Sequence, residues 1–255
     1  MQNLKRKLLR VCVTSVPVLL QGEMGAGKSV LGRFIHEHSM VSAGRRMLPL
    51  NCGALSDWSG KILLDSALKS STVIADTGQP DDSIGTLLLK QVCDLPSNLQ
   101  VTLSHFLADY DWNTNDGQSP EAVRILSTST QDLRRQVRLG RFRRDLFDRL
   151  AVVTIEVPPL RKRLADLPAI VEYLRLRCSQ RSETVEFIEF PLDLLARMMT
   201  YSWPGNFCEL ESFVSRHIAL RGDYSGPRQP EPLVPGAERW NWDMLTGDVA
   251  SKRKM

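Results

Sequence analysis

Short apolar runs alternate along this chain with longer stretches in which apolar residues recur at helical spacing. VPVLLQ closing on Gly22, RMLPLN (46–51), TLLLK (86–90), VRILST (123–128) and AVVTIEV (151–157) have the length and flanks of buried strands, and Pro158-Pro159 stops the last of them. Residues 28–38 read as a helix, and PSNLQVTLSHFLADY sets Leu99, Leu103, Phe106 and Leu107 on one helical face. RLGRFRRDLFDRL (138–150) reads as an arginine-rich helix. Strands alternating with helices predict an α/β fold, a parallel sheet with crossovers covered on both faces.

After Pro159 the pattern changes. Residues 160–221 contain no convincing strand, and LADLPAIVEYLRLRC, PLDLLARMMTY and PGNFCELESFVSRHIAL read as helices. Residues 222–255 gather Pro and Gly, with one aromatic spot (RWNWDML, carrying Trp240 and Trp242) and a basic end, SKRKM. The expected organisation is an α/β unit over 1–159, an all-helical unit over 160–221 and a tail over 222–255.

Composition narrows the setting. The chain has 255 residues, 42% hydrophobic and 24% charged, which excludes a wholly disordered chain. A net charge of +4 permits nucleic-acid contact without demanding it. Cys12, Cys52, Cys93, Cys178 and Cys208 are scattered and form no CxxC, which argues against a disulfide framework or zinc site and for a reducing compartment. The start, MQNLKRKLLRVCVTSVPVLLQG, is basic then apolar like a signal peptide, but it runs into a glycine-rich loop, so it is read as mature structure. No apolar run approaches the roughly 20 residues of a membrane span. The expected location is cytoplasmic.

The strongest motif is GEMGAGKS: Gly22, Glu23, Met24, Gly25, Ala26, Gly27, Lys28 and Ser29, between a predicted strand and a predicted helix. Glycines let the backbone curl until its N–H groups face phosphate oxygens, and the following helix aims its positive end at the same point. Lys28 would reach the outer phosphates, and Ser29 would offer a hydroxyl to Mg²⁺. The bland alternative is a glycine-rich hairpin turn, which the helix that follows disfavours.

Longer strings then become informative: VPVLLQGEMGAGKS…IHEHS, LPLNCGAL, GTLLLKQVCDLPSNLQ, GRFRRDLFDRLAVVTIEVPPLRKRLADLP and YSWPGNFCEL. Over residues 1 to about 221 the chain resembles the AAA+ ATPase domain of bacterial enhancer-binding proteins, the activators of sigma-54 RNA polymerase. The resemblance implies an AAA+ P-loop αβα sandwich with a helical lid, ring assembly, and ATP or ADP bound between subunits.

The departures from the family pattern carry as much information. Where the family ends its Walker B strand in two carboxylates, this chain has Lys90 and Gln91. Neither can neutralise a metal or accept a proton from water, so hydrolysis is expected to be severely impaired and Mg²⁺ weakly held. Asp94 aligns with the family's own downstream Asp-Leu-Pro and is not expected to substitute. Counting without gaps, the family's sigma-contacting Gly-Ala-Phe-Thr-Gly-Ala falls on Ile74, Ala75, Asp76, Thr77, Gly78 and Gln79, with a charge in place of the aromatic ring. Direct sigma-54 contact is therefore not expected. Thr130 stands at the sensor position, usually Asn, and Cys208 at the lid position, usually Arg. Arg143 and Arg149 match the arginines that the family inserts into a neighbour's site; a surface role on a basic helix is the alternative. His36 and His38 read as structural, and Asn51 as either a strand-end cap or a nucleotide neighbour.

The reading this supports is a degenerate member, a pseudo-ATPase that binds ATP or ADP, joins a homo-oligomer or a hetero-oligomer with a competent enhancer-binding paralogue, and regulates transcription through it. Two alternatives stand beside it: an active ATPase and sigma-54-dependent activator, and a scaffold or antagonist that binds no nucleotide. Residues 222–255 are too rich in Pro and Gly for a helix-turn-helix, so sequence-specific DNA binding by this chain alone is not expected, nor is membrane association.

Overall fold

A computed structural model describes residues 2–39, 44–56, 84–109, 123–179 and 190–220. The hexamer 74–79 and the tail 222–255, with Trp240 and Trp242, lie outside the described residues.

The α/β unit runs α1 (Gln2–Cys12), β1 (Val18–Gln21), α2 (Lys28–Glu37), β2 (Arg46–Asn51), β3 (Ile84–Lys90), α3 (Ser97–Asp109), β4 (Arg124–Ser129), α4 (Leu133–Arg138), α5 (Arg144–Leu150) and β5 (Val153–Glu156). The strands form one parallel sheet in the order β2-β3-β4-β1-β5. Both faces are covered, which explains why the strands read as continuous apolar runs. Val18, Leu20, Leu88 and Leu126 pack with Leu8, Val11 and Ile35 of α1 and α2. Leu19, Leu87, Leu89 and Ile125 face the other way, against Leu99 and Leu103 of α3 and Leu146 and Leu150 of α5. Arg124 is sealed inside (1% exposed), its guanidinium donating to the Val11 carbonyl at the end of α1 (2.7 Å) and to Ser39 Oγ (3.0 Å). Burial pushes its pKa down to about 10.

One local outcome adds to the sequence expectation and two differ from it. The basic-then-apolar start forms α1, whose Leu4, Leu8 and Val11 recur at helical spacing behind a charged outer face. The arginine-rich segment is two helices: Asp132 caps α4 through the amides of Arg134 and Arg135, and Gly140 turns the chain at φ 68° before α5. β5 covers only the centre of the 151–157 run.

The helical unit holds α6 (Leu167–Ser179), α7 (Leu192–Thr200) and α8 (Asn206–Ala219). Its core gathers Leu167, Val171, Leu174, Met198, Leu210 and Phe213 around Trp203, which is fully buried. The Trp203 indole N–H donates to the Met198 carbonyl (2.9 Å), and its ring meets Tyr201 and Phe213 edge-on. Among the described residues no helix is long and apolar enough to cross a membrane.

Trp203→Ala is expected to destabilise the protein by about 3–5 kcal/mol, the usual cost of emptying so large a buried site. Denaturant unfolding checks this; a loss below about 1 kcal/mol would contradict the central place given to Trp203.

Candidate functional site: the phosphate loop beneath the helical unit

Ligand sites in parallel sheets form at the carboxyl ends of the strands. Here that edge brings together the loop after β1, the end of β3 and the end of β4. The loop Gly22–Ser29 is tied to the sheet by the Gly22 amide on the Ser129 carbonyl (3.2 Å). It curls through positive φ at Gly25 (72°) and Gly27 (92°), the latter entering α2. Among the described residues the amides of Gly25, Gly27, Lys28 and Ser29 have no protein acceptor, the arrangement of an anion-binding nest at a helix N-terminus. Lys28 is buried, and its ammonium donates to the carbonyls of Gly22 (2.8 Å) and Glu23 (2.7 Å). Burial lowers its pKa from the ordinary lysine value.

The helical unit sits directly on this loop. Asn206, fully buried at φ 54°, accepts from the Leu160 amide through Oδ1 (2.8 Å) and donates through Nδ2 to the Met24 carbonyl (2.9 Å) and to Glu23 Oε2 (3.3 Å). The Phe207 amide donates to the Gly25 carbonyl (2.9 Å), and Arg163 Nη2 to the Ala26 carbonyl (2.6 Å). Arg161 grips Glu23 with both terminal nitrogens, at 2.7 and 2.5 Å. The approach is so close that a Cβ on Gly25 would stand 2.3 Å from the Gly205 carbonyl oxygen. Asn206, Arg161 and Arg163 were not singled out from the sequence. The WPGN string was the available signal, but nothing in it says what the asparagine holds.

At the end of β3, Lys90 pairs in register with Asn51 of β2, while Gln91 turns out of the strand at φ 54°. The Gln91 amide donates to Thr128 Oγ1 (3.0 Å), and its side-chain Nε2 to Thr130 Oγ1 (3.2 Å). Two of the positions that depart from the family pattern, Gln91 and Thr130, are thus joined by a neutral hydrogen bond. Cys93 stands beside them, 4.0 Å from Thr130 Oγ1. Cys208, at the lid position, is exposed in the first turn of α8. Asp94 is exposed in the next turn, where it accepts from the Cys93 thiol (3.3 Å) and lies over Gly53. Among the described residues no cluster of His, Cys, Asp or Glu could hold a metal ion.

Arg143 and Arg149 lie on α5 and its entry. Arg143, half-exposed, is held by Asp145 (3.0 and 2.8 Å), and Arg149 donates to the Leu107 carbonyl at the end of α3 (2.7 Å). His36 bonds to Thr86 through Nδ1 (2.8 Å) inside the α/β unit. Asn51 closes β2 and caps the next turn with no side-chain hydrogen bond. A cleft of about 920 Å³ opens beside the loop, between α1 and β5, lined among others by Leu4, Lys7, Gly22, Glu23, Pro159 and Lys162.

Comparison with known proteins extends the picture. Residues 1–156 match the sigma-54 interaction domain, and residues 161–225 an AAA+ ATPase lid domain. The DNA-binding transcriptional regulator NtrC of Azospirillum brasilense is 35% identical over 230 residues, covering 86% of this chain and 46% of that protein. The transcriptional regulatory protein ZraR of Klebsiella oxytoca is 34% identical over 250 residues, covering 92% of this chain and 54% of that protein. The chain thus spans about half the length of the curated relatives it matches. Among solved structures, NtrX from Brucella abortus in complex with ATP superposes with a TM-score of 0.66 at 27% identity, covering 88% of this chain and 52% of that one. Its ADP complex gives 0.66 at 26%, with shares of 89% and 52%.

The Arg161 guanidinium, then the Asn206 amide, hold the Glu23 carboxyl down at about 2. A depressed carboxylate stabilises above its unfolded value, about 4.3, and loses that contribution as pH falls through about 2. Glu23→Gln is therefore expected to melt about 1–3 °C below the wild type near neutral pH, given the ~0.2–1 kcal/mol of an exposed pair, with the gap closing toward pH 2. A gap that does not change with pH would contradict this role for the carboxylate.

Proposed function

Since the chain belongs to the sigma-54 interaction domain family of AAA+ proteins, we propose that it is a nucleotide-holding member with impaired hydrolysis, which regulates transcription by assembling with a hydrolysis-competent enhancer-binding protein. The observation that carries this reading is the pair Lys90 and Gln91 at the end of β3, with Gln91 bonded to Thr130 instead of a carboxylate facing the loop.

Nucleotide binding is supported by the curl at Gly25 and Gly27, the free amides around Lys28, and the ATP and ADP complexes of the NtrX relative. The nest amides and the Lys28 ammonium bind phosphate oxygens once Lys28 leaves the Gly22 and Glu23 carbonyls. The cleft beside Gly22 and Glu23 offers room for the nucleoside. A divalent metal, when bound, would neutralise charge between the outer phosphates, and of the residues expected to hold it this chain keeps Ser29 alone. The residues present therefore fit a nucleotide and do not fit a tightly held Mg²⁺. Lys90, a fixed cation at the position that normally helps hold the metal, offsets part of the phosphate charge instead. Gln91 is too weak a base to take a proton from water. Arg143 and Arg149 would act in a neighbouring subunit's site, stabilising charge on its transferring phosphoryl group. Oligomer assembly is required for that step and is part of the proposal.

One observation favours a second reading, a slow ATPase. Among the described residues Gln91 Oε1 is buried without a hydrogen-bond partner, an acceptor of the kind that orients attacking water in GTPases.

A fluorescent ATP analogue tests the first reading. Binding is expected to persist in EDTA and to disappear in Lys28→Ala. The double change Lys90→Asp with Gln91→Glu is expected to make binding sensitive to chelation and to raise hydrolysis at least tenfold, about 1.4 kcal/mol of transition-state stabilisation. Wild-type binding that vanishes in EDTA would overturn the assignment of Lys90.

A further inference from the structure

A phosphate loop has two sides. Its amides converge inward, and its carbonyls consequently point outward and need donors of their own. In this protein the outward carbonyls of Met24, Gly25 and Ala26, three in succession, are met by Asn206 Nδ2, the Phe207 amide and Arg163 Nη2, at 2.9, 2.9 and 2.6 Å. All three donors come from the lid or the turn that leads into it. Lys28, by contrast, is held only by the loop's own carbonyls and can swing away without moving the backbone.

We propose that Asn206, assisted by Arg163, is a positioning residue of the nucleotide site. From the outer side it holds the loop in its phosphate-accepting curl before nucleotide arrives, so phosphate affinity depends on lid side chains that never touch the nucleotide. The proposal rests on the nucleotide-holding reading above. Its physical basis is preorganisation: a nest already curled loses less conformational freedom on closing around an anion. Asn206 suits the task on three counts. It is fully buried, it occupies a left-handed conformation that asparagine tolerates better than most residues, and its two side-chain functions bridge the turn at Leu160 and the loop at Met24. In a chain with Cys208 at the lid position, this backbone junction couples lid to loop where an arginine on the nucleotide would otherwise do so.

The test uses Asn206→Asp and Arg163→Met in the full chain. Aspartate also tolerates φ 54° and keeps the acceptor for the Leu160 amide, but it removes the donor to Met24 and sets a carboxylate beside Glu23. Arg163→Met removes one donor while leaving Trp203 and its packing in place. Titration with ADP is expected to show about tenfold weaker binding for Asn206→Asp and about threefold for Arg163→Met, the scale set by one lost or opposed hydrogen bond. In the nucleotide-free protein, the hydrogen-bonded loop amides of Gly22 and Ala26 are expected to exchange faster in both variants while α8 keeps wild-type protection. Unchanged ADP affinity in both variants overturns the proposal, as does weaker binding without faster exchange in the loop. If Asn206→Asp loosens α8 as well, Arg163→Met decides between these outcomes. A wild type that binds no ADP overturns the nucleotide-holding reading itself, and this inference with it.

Discussion

The structure depends on a hydrogen-bond obligation at the loop after β1. A backbone that turns its amides toward an anion turns its carbonyls outward, and buried carbonyls need donors. The donors come from residues about 140 to 180 positions later in the chain: Arg163, Asn206 and the Phe207 amide. Glycine at 25 follows from the same contact, because a Cβ there would stand 2.3 Å from the Gly205 carbonyl oxygen; a Cβ on Gly205 would instead meet Glu209 Cβ of its own helix at 2.7 Å. Loop, turn at 160 and first turn of α8 therefore behave as one junction between the two units.

The chemistry facing that junction is oddly balanced. Lys28, Lys90 and Arg163 bring positive charge to the strand ends and the loop, while Glu23 is occupied by Arg161 and Asp94 is turned outward over Gly53. Holding a polyanion needs the first set of groups. Cutting it needs a carboxylate at the end of β3, where the chain has Gln91 bonded to Thr130. On the proposed reading, retention without turnover follows from that imbalance, and the lid's attachment to the loop backbone would support it by keeping the nest formed.

Most of the fold was legible because both faces of the sheet are buried: the runs at Val18–Gln21, Ile84–Lys90 and Arg124–Ser129 are apolar enough to stand out. The helices α6 to α8 were legible from their spacing. The opening helix was not, since Lys5, Arg6, Lys7 and Arg10 interrupt its apolar residues and imitate a leader segment. The break at Gly140 was hidden by the arginines around it. At the site, the loop and the substitutions at Lys90, Gln91, Thr130 and Cys208 could be read from motif strings alone. The left-handed backbones of Gln91, Trp203 and Asn206 could not, because none is glycine and each is held by tertiary contacts. For the same reason no motif string shows that Gln91 Nε2 donates to Thr130 Oγ1.

The central proposal is that this chain keeps a cradle for a nucleoside triphosphate and lacks the groups that cleave it. Steady-state release of inorganic phosphate from ATP and Mg²⁺ by the pure, unmixed protein addresses that claim most directly. The account predicts release no faster than the buffer background at protein concentrations that demonstrably bind ATP. Sustained magnesium-dependent turnover, lost in Lys28→Ala, would contradict it.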